Sequence, residues 1–267
     1  MELKKEILDT IEKKIREAGA FAVANQKGIS IKTKADGSPV TVVDITISDM
    51  IIDTITELLP SCNIISEESL TEFKKDAPYS FILDPIDGTD VFSQGLPSFA
   101  IALGILDSNR VPVGAMIYAP RFGVGENELF LRLDPGRELL LNGLRVKTEQ
   151  KDDVEQITMS SKGQRLIDFT DYNGKVRTFG STIIHMIAPI VFKNISGCVN
   201  APCYVWDFAA SHAVLKSQGY DVKYWNLEPV EYTDELLIER KRLKGFILAG
   251  TEKGIEKLQR ELPFRTL

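Results

Sequence analysis

Two aspartates that follow an apolar strand are the residues best suited to chemistry. The segment reads Leu83-Asp84-Pro85-Ile86-Asp87-Gly88-Thr89, so the two carboxylates stand three residues apart, and a proline and a glycine interrupt the strand. We expect a turn here to bring both side chains and a backbone carbonyl to one point. Carboxylate and carbonyl oxygens are the ligands that hard divalent cations prefer. A plain surface turn is the alternative, because Asp-Pro and Asp-Gly are common turn dipeptides.

Four other segments carry polar groups at the ends of predicted elements. Glu67 and Glu68 follow an apolar strand, and Asp207 stands at the start of a predicted helix. Lys34 and Asp44 flank the turn at 36–39, and the segment Gly180-Ser181-Thr182 precedes an apolar helix whose free N–H groups could hold an anion. Taken singly, each segment also fits an ordinary role as a solvated surface or a helix cap.

In this order, the motifs resemble the inositol monophosphatase family of magnesium-dependent, lithium-sensitive phosphatases. Its two signatures, D-P-[IL]-D-G-T and W-D-x-A-A, match Asp84–Thr89 and Trp206–Ala210, and the similarity covers about the whole chain. The resemblance implies an α/β fold of the α+β kind, a layered αβαβα sandwich with mixed and antiparallel sheets. It also implies one phosphatase domain over residues 1–267, with a metal-binding lobe near 1–140 and a substrate-binding, C-terminal lobe near 141–267.

The same resemblance implies roles for individual residues. The metal ligands would be Glu67, Asp84 and the Ile86 carbonyl for a first ion, Asp84, Asp87 and Asp207 for a second, and Glu67 with Glu68 for a weaker third. The catalytic residues would be Asp44, Glu67 and Thr89, of which Asp44 and Thr89 orient the attacking water. The phosphate or substrate contacts would be Lys34, Gly88, Thr89, Gly180, Ser181, His185 and Asn200. Two to three Mg²⁺ ions per site are implied, with Mn²⁺ as a possible substitute and Ca²⁺ and Li⁺ as inhibitors.

Substrate choice stays open because the family pattern is broken at several positions. Asp90-Val91-Phe92 replaces a frequent Asn-Phe ending, Asn200 stands where a sugar-binding glutamate is usual, and His185 replaces a lysine. A lone histidine on an apolar helix is also more often structural than a ligand. A sugar or inositol phosphate is our first expectation for the substrate.

Two relatives within the family offer alternative substrates. Lys34–Thr41 and Ser66-Glu67-Glu68 resemble the 3′(2′),5′-bisphosphate nucleotidases, although their usual Lys-Glu-Phe after the first signature is absent. Ser66-Glu67-Glu68 and Asp207–Ser211 also resemble archaeal enzymes that act on inositol phosphate and fructose 1,6-bisphosphate. A catalytically silent regulatory partner is the non-enzyme alternative, but the intact ligand set argues against it. A calcium-binding structural module would need a D-x-D-x-D loop, which the sequence lacks.

Hydrophobic spacing predicts the elements that must position these groups. Predicted helices cover 2–25, 44–59, 182–194, 207–218 and 252–261. Predicted strands cover 63–66, 79–83, 99–106, 113–118, 128–133, 155–161 and 246–249, and 30–43 is expected to be extended around a turn at 36–39. Several strands are apolar throughout, which is typical of strands covered on both faces.

Composition excludes several classes of protein. The chain has 267 residues, 38 acidic and 32 basic, for a net charge of −6, so a broad basic face for nucleic acid is not expected. The three cysteines lack C-x-x-C spacing and are expected to be buried and free in a reducing compartment. No apolar run approaches the length of about 20 residues that spans a bilayer. We therefore expect a cytoplasmic protein without nucleic-acid or membrane partners. The family resemblance implies a small phosphate ester as its partner and a homodimer as its assembly.

Overall fold

Two β-sheets with helices between and around them form the frame of the protein, as seen in a computed structural model that describes residues 3–34, 37, 39–123 and 127–265. The helices are α1 Lys5–Asn25, α2 Val42–Leu58, α3 Thr89–Ser93, α4 Ser161–Leu166, α5 Thr182–Val191, α6 Ala209–Ser217, α7 Asp234–Leu237 and α8 Glu252–Glu261. The first nine strands are β1 Lys32–Thr33, β2 Pro39–Val40, β3 Asn63–Ser66, β4 Tyr79–Asp87, β5 Ala100–Asp107, β6 Pro112–Ala119, β7 Leu129–Leu133, β8 Leu140–Leu141 and β9 Leu144–Arg145. The remaining strands are β10 Gln156–Met159, β11 Lys175–Arg177, β12 Gly197–Asn200, β13 Asp221–Tyr224 and β14 Ile247–Gly250.

The strands form one large sheet, one smaller sheet and a short hairpin. The large sheet has the order β3-β4-β5-β6-β7-β8-β9 and is antiparallel except for the parallel pair β3–β4. The smaller sheet has the order β11-β10-β12-β14-β13 and mixes parallel and antiparallel pairs. Strands β1 and β2 pair with each other, close to the predicted turn, of which Asp36 and Ser38 lie outside the described residues.

The helices complete five layers. Apolar faces of α1 and α2 pack against one face of the large sheet. Helices α5 and α6 lie between the two sheets, and α8 covers the far face of the small sheet. This is the predicted αβαβα sandwich with mixed and antiparallel sheets, so the expected fold is confirmed.

Several predicted boundaries differ from the structure. The strand expected to end at Leu83 continues to Asp87, because pairing with β5 resumes after an irregularity. Helix α2 begins at Val42 rather than at Asp44, since the Thr41 side chain caps it. The helices expected over 182–194 and 207–218 are shorter at their ends, and the short helix α4 was not predicted.

All three cysteines are buried and free, as expected from their spacing. Within the described residues, no helix is long and apolar enough to cross a bilayer.

Close contact between β5 and α6 fixes the spacing between the large sheet and the helix that follows Asp207. A Cβ atom added to Gly104 would lie 2.8 Å from the Ala210 nitrogen and 2.9 Å from the Ala209 carbonyl carbon. Both neighbours are backbone atoms, so neither can rotate away. Glycine is therefore needed at this crossing.

We predict that Gly104→Ala lowers the free energy of unfolding by about 1–3 kcal/mol, because α6 must move away from β5. Chemical denaturation followed by circular dichroism measures the change. Gly245→Ala is the matched control, because an added Cβ there has no neighbour within 4 Å. Equal stability of the two variants would contradict the argument.

Candidate metal centre

A bulge in β4 turns Asp84 and Asp87 toward the same face of the large sheet. Residues three apart on a regular strand would point to opposite faces. Here Asp84 pairs with Ala102 and Asp87 pairs with Ala100, so a step of three residues on β4 spans a step of two on β5, and β4 contains one extra residue. Bulges re-aim side chains in this way. The expected turn is thus an irregularity within a continuing strand, and it still makes the two carboxylates converge.

Parallel pairing brings Glu67 beside Asp84. Ser66 of β3 pairs with Leu83 of β4, and the Glu67 N–H donates to the Leu83 carbonyl at 3.3 Å. The next residue on each strand therefore lies at the same edge of the sheet. Sequence could place both at strand ends, but only the pairing puts them side by side.

Lys34 reaches the two adjacent glutamates from the segment before β2. Its ammonium nitrogen lies 2.6 Å from Glu67 Oε1 and 2.5 Å from Glu68 Oε1. Burial by itself would lower the pKa of Lys34, but attraction to the two carboxylates leaves the pKa above its usual value. Lys34 is therefore a cation held at the rim of the cluster.

Asp207 completes the cluster from the segment just before α6. It lies two residues before α6, rather than in the helix, and its Oδ2 accepts a hydrogen bond from the Tyr204 N–H at 2.6 Å. Ligand atoms of Asp84, Asp87 and Asp207 all lie within 4.8 Å of one another. A cavity of about 200 Å³ opens on this cluster, and Glu67, Ile86, Gly88, Thr89 and Asp90 also line it.

Burial of several carboxylates together raises their pKa values. Burial and the charge of Glu67 raise the pKa of Asp84 well above its usual range. Burial raises the pKa of Glu67 to about 8, with a further contribution from Asp207 and opposition from Lys34. Burial raises the pKa of Asp87 and of Asp207 to about 7. The hydrogen bonds and the Lys34 ion pair thus offset only part of the effect of burial on these carboxylates.

These residues fit a divalent cation. Both carboxylate oxygens of Asp84 are buried and find no hydrogen-bond donor in the described part of the chain. An ionised carboxylate that is buried and unpaired is costly, whereas a cation that binds oxygen ligands removes that cost. Asp84, Asp87 and Asp207 supply the oxygen ligands, and Glu67 lies beside them.

A hydrogen-bonded pair, Asp44 and Thr89, borders the cluster. Thr89 Oγ1 lies 3.1 Å from Asp44 Oδ1 and 3.1 Å from the Ile86 carbonyl, so its single proton has two acceptors. Asp44 Oδ2 accepts from the Thr41 N–H at 3.0 Å in a capping box at the start of α2. Burial raises the pKa of Asp44. The sequence predicted the pair, and the structure brings the two side chains together.

The Asp87 carboxylate accepts hydrogen bonds from the free N–H groups at the start of α5. The N–H groups of Ile183 and Thr182 donate to this carboxylate at 2.8 and 3.2 Å, and the Ser181 hydroxyl donates as well. The N–H groups expected to hold an anion therefore hold this carboxylate. Gly180 packs against Val91, where an added Cβ would lie 2.3 Å from a methyl carbon.

His185 and Asn200 do not line the cavity at the cluster. Both are buried, and His185 Nε2 accepts a hydrogen bond from the Phe179 N–H at 2.8 Å. Burial lowers the pKa of His185 to about 4, against a smaller contribution from Asn200. These contacts agree with the structural alternative for this histidine.

Sequence reasoning missed Arg240 and Tyr204. Arg240 donates to backbone carbonyls of the segment that carries Glu67, and the Tyr204 N–H holds Asp207. The basic run 240–244 was a visible signal for Arg240. Nothing in the sequence near Tyr204 marks its backbone as a donor.

Comparison with known proteins agrees with this geometry. The profile of the inositol monophosphatase family matches residues 2–256. Fructose-1,6-bisphosphatase of Pyrococcus furiosus is 30% identical over 199 residues, which cover 73% of this chain and 74% of that protein. The 3'(2'),5'-bisphosphate nucleotidase CysQ of Escherichia coli K12 is 24% identical over 243 residues, which cover 85% of this chain and 94% of that protein. The crystal structure of extragenic suppressor protein SuhB from Bartonella henselae superposes with a TM-score of 0.78 at 21% identity and covers 96% of this chain and 98% of that one.

We predict that Asp84→Asn weakens Mg²⁺ binding at least about tenfold in titration calorimetry, because the variant lacks a ligand oxygen with negative charge. In metal-free buffer at pH 8, the variant should unfold at a higher temperature than the wild type, since it carries no unpaired buried charge. Asp53→Asn, on the exposed side of α2, is the control and should change neither quantity. Unchanged Mg²⁺ binding by the Asp84 variant would contradict the assignment.

We also predict that His185 makes the fold sensitive to acid. Its pKa is about 4 in the folded protein and 6.5 in the reference state, so the unfolded chain takes up the proton first. Stability from this group is complete above pH 6.5 and falls as the pH drops toward 4, by up to about 3 kcal/mol. The stability of wild type relative to His185→Gln should fall by most of this amount between pH 7 and pH 4.5, as measured by urea denaturation. A constant difference would show that His185 titrates normally.

Proposed function

The chain belongs to the inositol monophosphatase family, and on that premise we propose that it hydrolyses a small phosphate monoester of a sugar or polyol with Mg²⁺. Hydrolysis of a phosphate ester is the activity of this family and of its curated relatives. The observation that carries the proposal for this chain is the cluster of the buried Asp84 and Asp87 with the half-buried Asp207 beside an open cavity.

Asp84, Asp87 and Asp207 would hold the cation, with Glu67 and the Ile86 carbonyl as further ligands and Glu68 at a weaker position. Bound Mg²⁺ supplies charge neutralisation for the phosphate and lowers the pKa of a water molecule. Hard oxygen ligands favour Mg²⁺ or Mn²⁺ over softer metals. By family resemblance, we propose inhibition by Ca²⁺ and Li⁺.

The pair Asp44–Thr89 would orient the attacking water. Thr89 lines the cavity, and its proton is directed to Asp44 Oδ1 or to the Ile86 carbonyl at 3.1 Å. The hydroxyl oxygen can therefore accept a hydrogen bond from a water in the cavity. The raised pKa of Asp44 suits this carboxylate to take up a proton through Thr89. Gly88 and Thr89 remain the proposed backbone donors to phosphate.

The rim of the cavity favours a substrate with one phosphate. None of the described residues that line the cavity is lysine or arginine, and Asp90 adds a carboxylate at the rim. A second phosphate near the first would be repelled there. A neutral, hydroxyl-bearing leaving group meets no such penalty.

A bisphosphate is the second candidate. It is supported by two relatives, named fructose-1,6-bisphosphatase and 3'(2'),5'-bisphosphate nucleotidase. Lys34, which is bound to Glu67 and Glu68, offers a cation for a second phosphate.

We further propose that residues 1–267 act as one catalytic unit and that, by family resemblance, two copies associate. The three buried, free cysteines support action in a reducing compartment such as the cytoplasm.

Phosphate release from a substrate panel tests the proposed function. We predict Mg²⁺-dependent release from inositol 1-phosphate, other sugar monophosphates, fructose 1,6-bisphosphate and adenosine 3′,5′-bisphosphate, with monophosphates ahead and no strong preference for inositol 1-phosphate. Chelation should abolish release, and excess Li⁺ should depress it. Release that survives chelation would contradict the metal centre, and no release from any substrate would favour a catalytically silent partner.

Asp90→Lys tests whether the charge at the rim decides between monophosphates and bisphosphates in the same panel. Reversal of the charge at the rim should raise kcat/KM for the bisphosphates relative to the monophosphates by about tenfold, since one charge contact near a surface contributes roughly 1–2 kcal/mol. The selectivity of Asp90→Asn should lie between that of the wild type and that of Asp90→Lys. Equal selectivity in all three proteins would remove Asp90 from the account of specificity.

A further inference from the structure

Two aromatic rings and two arginines form a stacked group next to Asp207. The rings of Tyr204 and Trp206 are stacked with centroids 4.8 Å apart and planes 15° apart. The guanidinium carbon of Arg240 lies 4.9 Å from the centre of the Trp206 ring, and that of Arg242 lies 4.7 Å from the centre of the Tyr204 ring. Both distances fall within the range of cation–π attraction. We call these four residues the arginine–aromatic ladder.

One end of the ladder holds the segment that carries Glu67. Arg240 donates one hydrogen bond to the Ser69 carbonyl at 3.0 Å and another to the Glu67 carbonyl at 3.0 Å, and it also donates to the Ser66 carbonyl. Its charge is half-buried and is attracted by both Glu67 and Glu68. A planar guanidinium can serve several carbonyls at fixed angles, whereas a lysine ammonium cannot.

The other end of the ladder holds Asp207. The Tyr204 N–H donates to Asp207 Oδ2 at 2.6 Å, and Trp206 is the residue directly before this aspartate. Asp207 and Glu67 come from segments about 140 residues apart in the chain: Glu67 directly follows β3, and Asp207 precedes α6. The ladder thus bridges the two walls of the cluster.

Such a bridge opposes a physical tendency of the cluster. Glu67 and Asp207 are both acidic, and each would move away from the other when no cation lies between them. The stacked rings of Tyr204 and Trp206 are rigid. Arg240, which packs on Trp206 and donates to the Glu67 carbonyl, therefore holds the Glu67 segment at a fixed distance from Asp207. Residues that orient metal ligands typically change metal affinity about 10- to 100-fold when replaced.

We propose that Arg240 is a positioning residue that fixes the spacing between Glu67 and Asp207 through the arginine–aromatic ladder and so sets the affinity of the centre for its divalent cation. The inference rests on the proposed function, because it assumes that this cluster binds the cation.

Titration calorimetry of the full chain with Mg²⁺ tests the inference with Arg240→Lys. This variant keeps the positive charge but loses the planar guanidinium that donates to several carbonyls. We expect Mg²⁺ binding at least about tenfold weaker than in the wild type. The Mg²⁺ concentration for half-maximal phosphate release should rise equally, while kcat at saturating Mg²⁺ stays within about threefold of the wild type, since no reacting group is lost.

Arg110→Lys is the matched control. Arg110 also has a left-handed backbone (φ 62° against 55° for Arg240), donates to a backbone carbonyl, that of Tyr232, and lies over an aromatic ring, that of Phe73. It does not line the cavity at the cluster. Its replacement should leave Mg²⁺ binding within about twofold of the wild type.

Three results would overturn the inference or its basis, and they can be told apart. If Arg240→Lys binds Mg²⁺ as tightly as the wild type, even with a lower melting temperature, the ladder stabilises the fold but does not set the affinity for the cation. If Arg240→Lys does not fold, Trp206→Phe answers the same question, because phenylalanine keeps a ring but attracts the guanidinium less. Its Mg²⁺ binding should be weakened less than in Arg240→Lys, and unchanged binding would overturn the inference. A wild type that neither binds Mg²⁺ nor releases phosphate would instead defeat the proposed function.

Discussion

The repulsion among carboxylates that share one small, partly buried volume is the constraint on which the rest of the structure depends. Asp84, Asp87, Asp207 and Glu67 share a small volume, and burial raises the pKa of each. The protein opposes this repulsion with specific groups. Lys34 pairs with Glu67, the start of α5 donates to Asp87, and the Tyr204 N–H donates to Asp207. Asp84 alone among these four acids has no such partner in the described residues.

The layered fold converts this constraint into a binding site. Asp84 and Glu67 come from the large sheet, whereas Asp207 precedes a helix that lies between the sheets. Contact between Gly104 and the backbone of α6 fixes the separation of these layers. An acidic cleft by itself would repel a phosphate, but a cation bound among the carboxylates reverses the local sign of charge. An acidic protein with a net charge of −6 can therefore bind an anionic ester.

Substrate choice depends on a different set of residues from the metal centre. The cluster provides charge and orientation, which every phosphate ester needs alike. Under the proposed function, selectivity comes from the rim, where Asp90 is exposed and lines the cavity, whereas His185 and Asn200 do not line it. Function within one fold is decided by such local groups rather than by the fold itself.

Sequence alone determined the features that depend on neighbours along the chain. Apolar runs marked the strands, Pro and Gly marked the interruption after Asp84, and the order of the acidic motifs identified the family and the five-layered fold. Tertiary structure decided what depends on pairing between distant segments. The segment expected to be a turn is a bulge within β4. The N–H groups at the start of α5 donate to Asp87, and Arg240 donates to the Glu67 carbonyl. Spacing encodes the direction of a side chain within one element, but the register between strands and the contacts between layers are set by packing across the whole core.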